Sequence, residues 1–348
     1  MTLARHLAAA LLAALVIAVV SVRLGAYRDY QLAEVAAYVT AVAGLTVLIG
    51  LSGQISIGNG AFMAIGAYAS ALLLLHLGWP IELVLLASAV AAAVAGAIFG
   101  IAAARLRGPY LAGATLMLAV ALPSVAAQYQ GVFGGDQGLS VTITTPAFLG
   151  AAFPPTRWLA WLTCAAALVT LVLLANLGRS RVGRNWRAVR DDEVAAALSG
   201  LNVARLQILA FVVSAACAGL GGALLAVVSG IVAPGAYTLT LSIALLTAAV
   251  IGGLGSLPGA LWGSLVLVLV PSYLTNVAAS HGMSGAASSS VPIAAYGVVL
   301  IVVMLVFPAG IQGALRRLFG PAAPAAKAPF TTLRRRAPAS EHQEEGTI

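Results

Sequence analysis

Hydrophobic positions along this chain fall into long blocks with few polar interruptions. Apolar runs occupy Leu7–Val22, Leu32–Ile49, Gly58–Leu77, Ile81–Ala104, Leu111–Ala127, Trp158–Leu177, Leu206–Val228, Leu239–Ile251, Ala260–Val277 and Val291–Phe307. Most have about the 17–25 residues that a helix needs to cross a bilayer. Leu239–Ile251 is shorter and reads as a broken or half-spanning helix. From Leu206 through Leu315 there is no Asp, Glu, Lys or Arg, which no water-solvated domain of that size could sustain. The pattern predicts an all-α, polytopic membrane protein of about ten spans.

Two glycine-rich breaks interrupt the blocks. Gly50–Gly66 reads GLSGQISIGNGAFMAIG and sets Ser52, Gly53, Gln54, Ser56, Gly58 and Asn59 between two apolar runs. Helix would break there and free backbone groups, and irregular backbone at membrane depth is tolerated only inside protein or beside a watery cavity. A substrate pathway is one reading; a tight cytoplasmic turn with glycines for helix packing is the other. The second break, GGLGSLPGALWG at Gly252–Gly263, repeats glycine every four residues, as do Gly96 and Gly100. That spacing lets a neighbouring helix approach closely.

Composition fits the pattern: 61% of residues are hydrophobic, 8% are charged, and the mean hydropathy is +1.02. The net charge of +8 comes from basic residues clustered beside spans, so membrane topology explains it without nucleic acid. Retention of arginine on the cytoplasmic side places Arg105, Arg107, Arg179–Arg205, Arg316, Arg317 and Arg334–Arg336 inside, and ten crossings then put both termini inside. The link holding Arg23 and Arg28 falls outside, against the rule. The link Gln128–Arg157 also faces out; GGDQG marks tight turns there and VTITT alternates like a short strand. Leu7–Val22 lacks a small-x-small cleavage site after it, so it reads as a span and not a signal peptide. After Phe319 a segment rich in Pro and Ala, of mixed charge, reads as a disordered cytoplasmic tail.

Candidate chemistry is sparse. Glu34 and Glu82 lie near predicted helix ends, where a carboxylate reaches headgroups or water, and His76 and His281 lie near outer ends. Cys164 and Cys217 sit inside apolar runs and suggest neither a disulfide nor a metal site. No GxxxxGK[ST] loop occurs, so ATP is not bound by that route.

Charge instead concentrates in Arg184–Leu206, RNWRAVRDDEVAAALSGLNVARL, with Arg184, Arg187, Arg190, Asp191, Asp192, Glu193 and Arg205. Asp191 or Asp192 suits an N-cap, and Val194, Ala197, Leu198 and Leu201 follow at helical spacing. Gly200 offers a helix stop and Asn202 a fresh N-cap. The segment predicts a cytoplasmic helix of about two turns with one apolar and one charged side. A loop resting on headgroups would explain the arginines, but an anionic surface repels the three acidic residues, whereas a basic protein partner would welcome them.

In order and spacing, GLSGQISIGNGAFMAIGAYASALL, RGPYLAGATLMLAVALP, GGDQGL, RAVRDDEVAAALSGLNVARLQILAFVVSAACAGLGGALLA and GGLGSLPGALWGSLVLVLVP resemble the permease subunit of branched-chain amino-acid ABC importers, the LivM type. The resemblance covers roughly Leu32–Phe307. It implies an inner-membrane subunit paired with a second homologous permease, two cytoplasmic ATPases and an extracytoplasmic solute-binding protein, surrounded by membrane lipid, with no cofactor and no ATP site of its own. It also implies that the charged segment is a variant of the EAA loop that docks on the ATPase. Val194 stands in the Glu position before Ala195, Ala196 and Gly200, with Glu193 one residue earlier, so Arg190, Asp191, Asp192, Glu193, Ala195, Ala196 and Gly200 are the implied coupling residues. On this basis residues 1–31 form a first span and external link, 32–312 a permease core with a coupling segment at 178–205, and 313–348 the tail. Similar permeases carry urea, short-chain amides or other amino acids; a secondary carrier or channel needing no ATPase is the alternative from another class.

Overall fold

The computed structural model describes residues 2–23, 25–105, 109–143, 153–280 and 310–319, with short pieces at 297–298, 301–302 and 305. The protein is all-α and polytopic. Its helices are α1 (Thr2–Arg23), α2 (Ala26–Ser52), α3 (Asn59–Leu72, prolonged by a π-helical turn Leu73–Leu77), α4 (Ile81–Ala103), α5 (Pro109–Gln128), α6 (Gln130–Phe133), α7 (Pro155–Arg179), α8 (Arg181–Asp191), α9 (Glu193–Leu198), α10 (Val203–Ser229), α11 (Leu239–Gly252), α12 (Leu257–Ser280) and α13 (Gly310–Phe319). Among the described residues seven helices are long and apolar enough to cross a membrane: Ala26–Ser52, Asn59–Leu77, Ile81–Ala102, Tyr110–Gln128, Pro155–Arg179, Val203–Ser229 and Leu257–Ala278. Arg107, His281, most of the run Val291–Phe307, and the tail after Phe319 with Arg334–Arg336 lie outside the described residues.

Helices α2 and α10 form the centre, and small residues explain how. Lipid tails are as apolar as leucine, so helices associate in a bilayer through close packing, which small side chains allow. Gly44 of α2 abuts Ser214 and Cys217 of α10, and Gly221 of α10 abuts Ala37 and Ala41 of α2. On another side of α10, Gly219 and Gly222 touch the backbone of Gly66 and Met63 in α3, leaving no room for a Cβ. The predicted packing role of Gly96 holds where it meets Ala215, and Gly259 and Gly263 hold α12 against Gly252 and Ala248 of α11. Phe62 locks this centre, its ring meeting Phe99 and Phe211 edge-on at 6.1 and 5.7 Å.

The two ends of the bundle differ. Arg105, Arg179 and Arg205 gather at one end, because α4 and α10 run antiparallel with Gly100 beside Ile208. At the opposite end, the buried Asp29 in the first turn of α2 lies 3.7 Å from the Arg157 guanidinium at the start of α7. Arg157 also sits 5.9 Å from the Phe153 ring, and Trp161 ties α7 to α1 by donating to Ser21 Oγ at 2.8 Å. Arg28 lies inside α2, not in a link. The neighbouring Asp29–Arg157 pair compensates one positive charge at this end.

One sequence expectation is corrected and another is extended. The strand expected at VTITT is instead Leu139–Ser140, pairing antiparallel with Ile231–Val232 after α10; Val141 adds only its N–H, donated to Gly230 at 2.8 Å. Strand pairing needs a partner edge, and the one available reaches just these residues; Thr144 and Thr145 lie outside the described residues. The short helix expected after an N-cap at Asp191 or Asp192 is α9, capped by Asp192 (φ −158°, ψ 108°); the charged residues before it form a further helix, α8, that the sequence did not foretell.

Candidate functional site

The break after α2 begins where Gly53 adopts a left-handed conformation (φ 75°) and directs its N–H back to Ile49 at 3.1 Å. From there the chain is irregular until Asn59. Ser52, Gln54, Ser56 and Gly58 are buried while Gly53 and Ile55 are exposed, so the polar side chains turn inward and the isoleucine outward. Such inversion suits a segment without water on its outer side, where each polar group must find a partner in the protein.

Those partners come from five other helices. Gln54 Nε2 donates to Ser52 Oγ at 3.0 Å and to the Gln207 carbonyl of α10 at 3.1 Å. The Ile57 N–H donates to Thr115 Oγ1 of α5 at 3.0 Å. Asn59 Nδ2 donates to the Ala41 carbonyl of α2 at 3.4 Å, and Ser214 Oγ of α10 donates to Asn59 Oδ1 at 3.5 Å. The Gly60 N–H donates to Ser242 Oγ of α11 at 3.1 Å. Arg190 of α8 closes the set by donating to the Gly50 carbonyl.

These bonds also locate the start of α3 in depth. Ala41 lies eleven residues before the end of α2 at Ser52, and Ser214 eleven after the start of α10 at Val203. At 1.5 Å per residue each gives about 16 Å from the arginine-rich end. Ser242 lies ten residues before the end of α11 at Gly252, about 15 Å by the same measure. Three helices thus place the N-termini of α3 and α11 together, about 15 Å in from the arginine-rich end. A helix N-terminus carries free N–H groups and positive dipole, which favour a carboxylate.

The charged segment is built on the arginine-rich end of this arrangement. Ser180 caps α8, whose inner face buries Gly183, Trp186 and Val189; Trp186 Nε1 donates to the Leu206 carbonyl at 2.8 Å. Asp192 caps α9, accepting from Val194 and Ala195 at 2.9 and 3.0 Å. Gly200 ends α9 with φ 84°, and Asn202 caps α10, accepting from Arg205 at 3.0 Å, as the sequence suggested. Arg190 pairs with Asp191 at 2.8 Å, and Glu193 accepts from Gln207 Nε2 at 2.9 Å. All three acidic residues therefore have partners within the chain. Ala196 is buried and Ala195 exposed, while Val194 and Leu198, at 69% and 85% exposure, leave an apolar surface uncovered.

The two groups of candidate residues, far apart in sequence, are one connected cluster. Arg190 links the charged segment to Gly50, and its Cγ abuts Gly53 closely enough to exclude a Cβ there. Gln207 links Glu193 to Gln54 from the other side. Sequence reasoning missed Gln207, Ser214, Thr115, Ser242 and Trp186. Isolated polar residues in apolar helices were their only signal, and for Trp186 its spacing from Val189. Glu82 is exposed in the first turn of α4, in keeping with an interfacial place, whereas Glu34 is half-buried two turns into α2. Cys164 and Cys217 are free and buried, and among the described residues no group of His, Cys, Asp and Glu could hold a metal.

Residues 27–308 match the family model described as branched-chain amino acid transport system / permease component. The chain belongs to this family. It is 33% identical over 255 residues to the high-affinity branched-chain amino acid transport system permease protein LivM of Escherichia coli K12, covering 67% of this chain and 60% of that protein. It is also 28% identical over 306 residues to LivH of the same organism, covering 79% of this chain and 91% of that one. BraD of Pseudomonas aeruginosa is 27% identical over 294 residues, with 79% and 91% covered. No solved structure matches the chain. The match thus spans 60% of the LivM length but nearly all of LivH and BraD.

Proposed function

We propose that this chain is the membrane-spanning half of an ATP-driven importer for branched-chain amino acids, lying in a bacterial inner membrane with both termini in the cytoplasm. Its similarity to LivM and LivH of one organism supports pairing with a second, homologous permease. Two ATPases on the cytoplasmic side and a solute-binding protein outside complete the assembly, and ATP is hydrolysed by those ATPases. About ten spans, with the short α11 as a half-spanning helix, make up the permease.

Gly50–Gly66 is this chain's share of the path. The paired N-termini of α3 and α11 at mid-depth turn their positive dipole ends toward the substrate carboxylate, joined to each other by the Gly60–Ser242 bond and tied to α2 and α10 through Gln54 and Asn59. The exposed Val194 and Leu198 of α9 dock on an ATPase, with Arg190, Asp191, Asp192 and Glu193 setting the shape of the docking segment. The observation that carries the reading is the Arg190–Gly50 bond, since it joins the docking segment directly to the end of α2 from which the path starts. Closure of the ATPases would then shift α8, and with it the break, switching access to the path.

Orientation gives the direct test. Single cysteines replacing Ser199, just after α9, and Ser140, in the Leu139–Ser140 strand, should react with an impermeant thiol reagent from opposite sides, Ser199 only from the cytoplasm. Reaction of both from one side would overturn the proposal.

A further inference from the structure

Charge within the described spans keeps to their ends, with one exception. Glu34 lies eight residues past the start of α2 at Ala26, about 12 Å in from the end that the proposed orientation places outside. Every other Asp, Glu, Lys or Arg in the seven spans lies within three residues of a helix end. The Glu34 carboxylate is half-buried, and among the described residues neither a cation nor a hydrogen-bond donor pairs with it. A charge held at such depth without a partner is costly and points to function.

Tyr30 and Tyr38 stand one turn to either side of Glu34 on the same face of α2, near enough for its charge to act on both. Tyr38 is in turn close to Tyr237, which leads into the N-terminus of α11. Towards the outside, this face lines a cavity of about 430 Å³ between α2 and α12, within the range of small-molecule sites, about 300–1,000 Å³. Tyr27 and Gln31 line it from α2. Glu34 follows them by seven and three residues and so continues their face one turn further in. Arg28, exposed and without a carboxylate partner among the described residues, also lines the cavity. A free cation thus stands at the mouth and a free anion beneath it.

We propose that this cavity receives the amino acid on its way in, with Arg28 holding the carboxylate and Glu34 the ammonium. The rings of Tyr30 and Tyr38 add their faces to the ammonium site. Ala41, which anchors Asn59 at the start of α3, lies seven residues deeper than Glu34, about 10 Å. The amino acid therefore waits here before its carboxylate passes to the N-termini of α3 and α11. A zwitterionic phospholipid does not fit the order of charges, because its phosphate lies on the acyl-chain side of its ammonium, the reverse of Arg28 above Glu34. A basic side chain of a docked protein would meet Arg28 first, and Glu34 lies about 12 Å beneath that end of α2. The inference deepens the importer reading and rests on it.

Proteoliposomes of the assembled transporter, with ATP enclosed and binding protein and leucine outside, test it through two half-analogues of leucine. Isopentylamine keeps the side chain and the ammonium; isocaproate keeps the side chain and the carboxylate. Each should inhibit wild-type uptake. E34Q should raise the half-inhibiting concentration of the amine at least about tenfold and leave that of the acid unchanged, and R28Q should do the reverse. Y30L, which keeps both charges, should raise the amine value severalfold, and it decides the matter with R28Q if E34Q does not assemble. Equal inhibition of the wild type and these variants, or no inhibition by the amine, would overturn the site. Loss of a sodium or proton requirement in E34Q with amine inhibition intact would show an inorganic cation's site instead, and also overturns it. Absence of ATP-driven leucine uptake by the wild type would sink the importer reading and the proposal with it, whereas equal inhibition leaves that reading standing.

Discussion

Arg190→Ala removes the most specific link between the docking segment and the break. Gly50 is in the last turn of α2, where carbonyls lack partners within the helix. Arg190 supplies one, and the site is part-buried. Losing a hydrogen bond from a charged donor costs about 1.5–3 kcal/mol, and leaving the carbonyl unpaired in a part-buried place keeps the value in that range. The ion pair to Asp191 adds at most about 1 kcal/mol, since the two side chains are 40% and 66% exposed.

Loss of about 2 kcal/mol, confined to this contact, increases local opening of α8 from α2 about thirtyfold. Amide hydrogen exchange should therefore quicken at residues 53–58 and 186–198, with little change in α10. In reconstituted transporter the ratio of substrate moved to ATP hydrolysed should fall severalfold while ATP hydrolysis continues. Arg190→Lys should lie between, because one ammonium cannot hold Gly50 and Asp191 with Arg's planar fork. Unchanged exchange together with an unchanged coupling ratio in Arg190→Ala would refute the clamp.

Three further outcomes are expected. Gln54→Leu and Asn59→Leu each leave buried polar groups without a partner, among them Ser52 Oγ and the Ser214 hydroxyl, at about 1–3 kcal/mol; uptake should drop while the subunit still assembles on size-exclusion chromatography, and normal uptake in both would return the stretch to a packing role. Replacing Asp191, Asp192 and Glu193 together by Lys removes the α9 cap, worth about 0.5–2 kcal/mol, so co-purification with the ATPases should fail; Asp192→Asn, which keeps a capping oxygen, should restore it when the other two are wild type. Gly66→Ala forces a Cβ into the Gly219 backbone, where overpacking costs about 1–3 kcal/mol, and a thermal-shift assay should show a lowered midpoint, with Gly113→Ala, which meets nothing, as the neutral control.

Local chemistry was legible wherever one residue decides the backbone. Gly200 and Asn202 stop α9 and start α10 because their conformational and capping preferences act within a turn. The short helix at 239–252 was legible because Gly252 and Gly253 end its apolar run. Helix α8 was not, although Val182, Trp186 and Val189 have helical spacing, because four arginines spread through Arg181–Arg190 and obscure the buried face. Nor could the sequence say which way Ser52, Gln54 and Ser56 point. That depends on Gln207 and Thr115, distant in the chain, and polar residues beside a break fit a path lining and an internal bond equally well. The junction of the break with the docking segment is likewise a property of packing, since Arg190 and Gly50 are 140 residues apart.

The central claim is that substrate movement through this chain depends on ATPases joined to its charged segment. Uptake of radiolabelled leucine into proteoliposomes, with the permease, its homologous partner, the ATPases and the binding protein supplied together or with the ATPases withheld, measures it directly. Uptake should require ATP and should cease without the ATPases, at every external leucine concentration. Leucine entering at an undiminished rate with neither ATPases nor ATP, driven by its own gradient, would contradict the account.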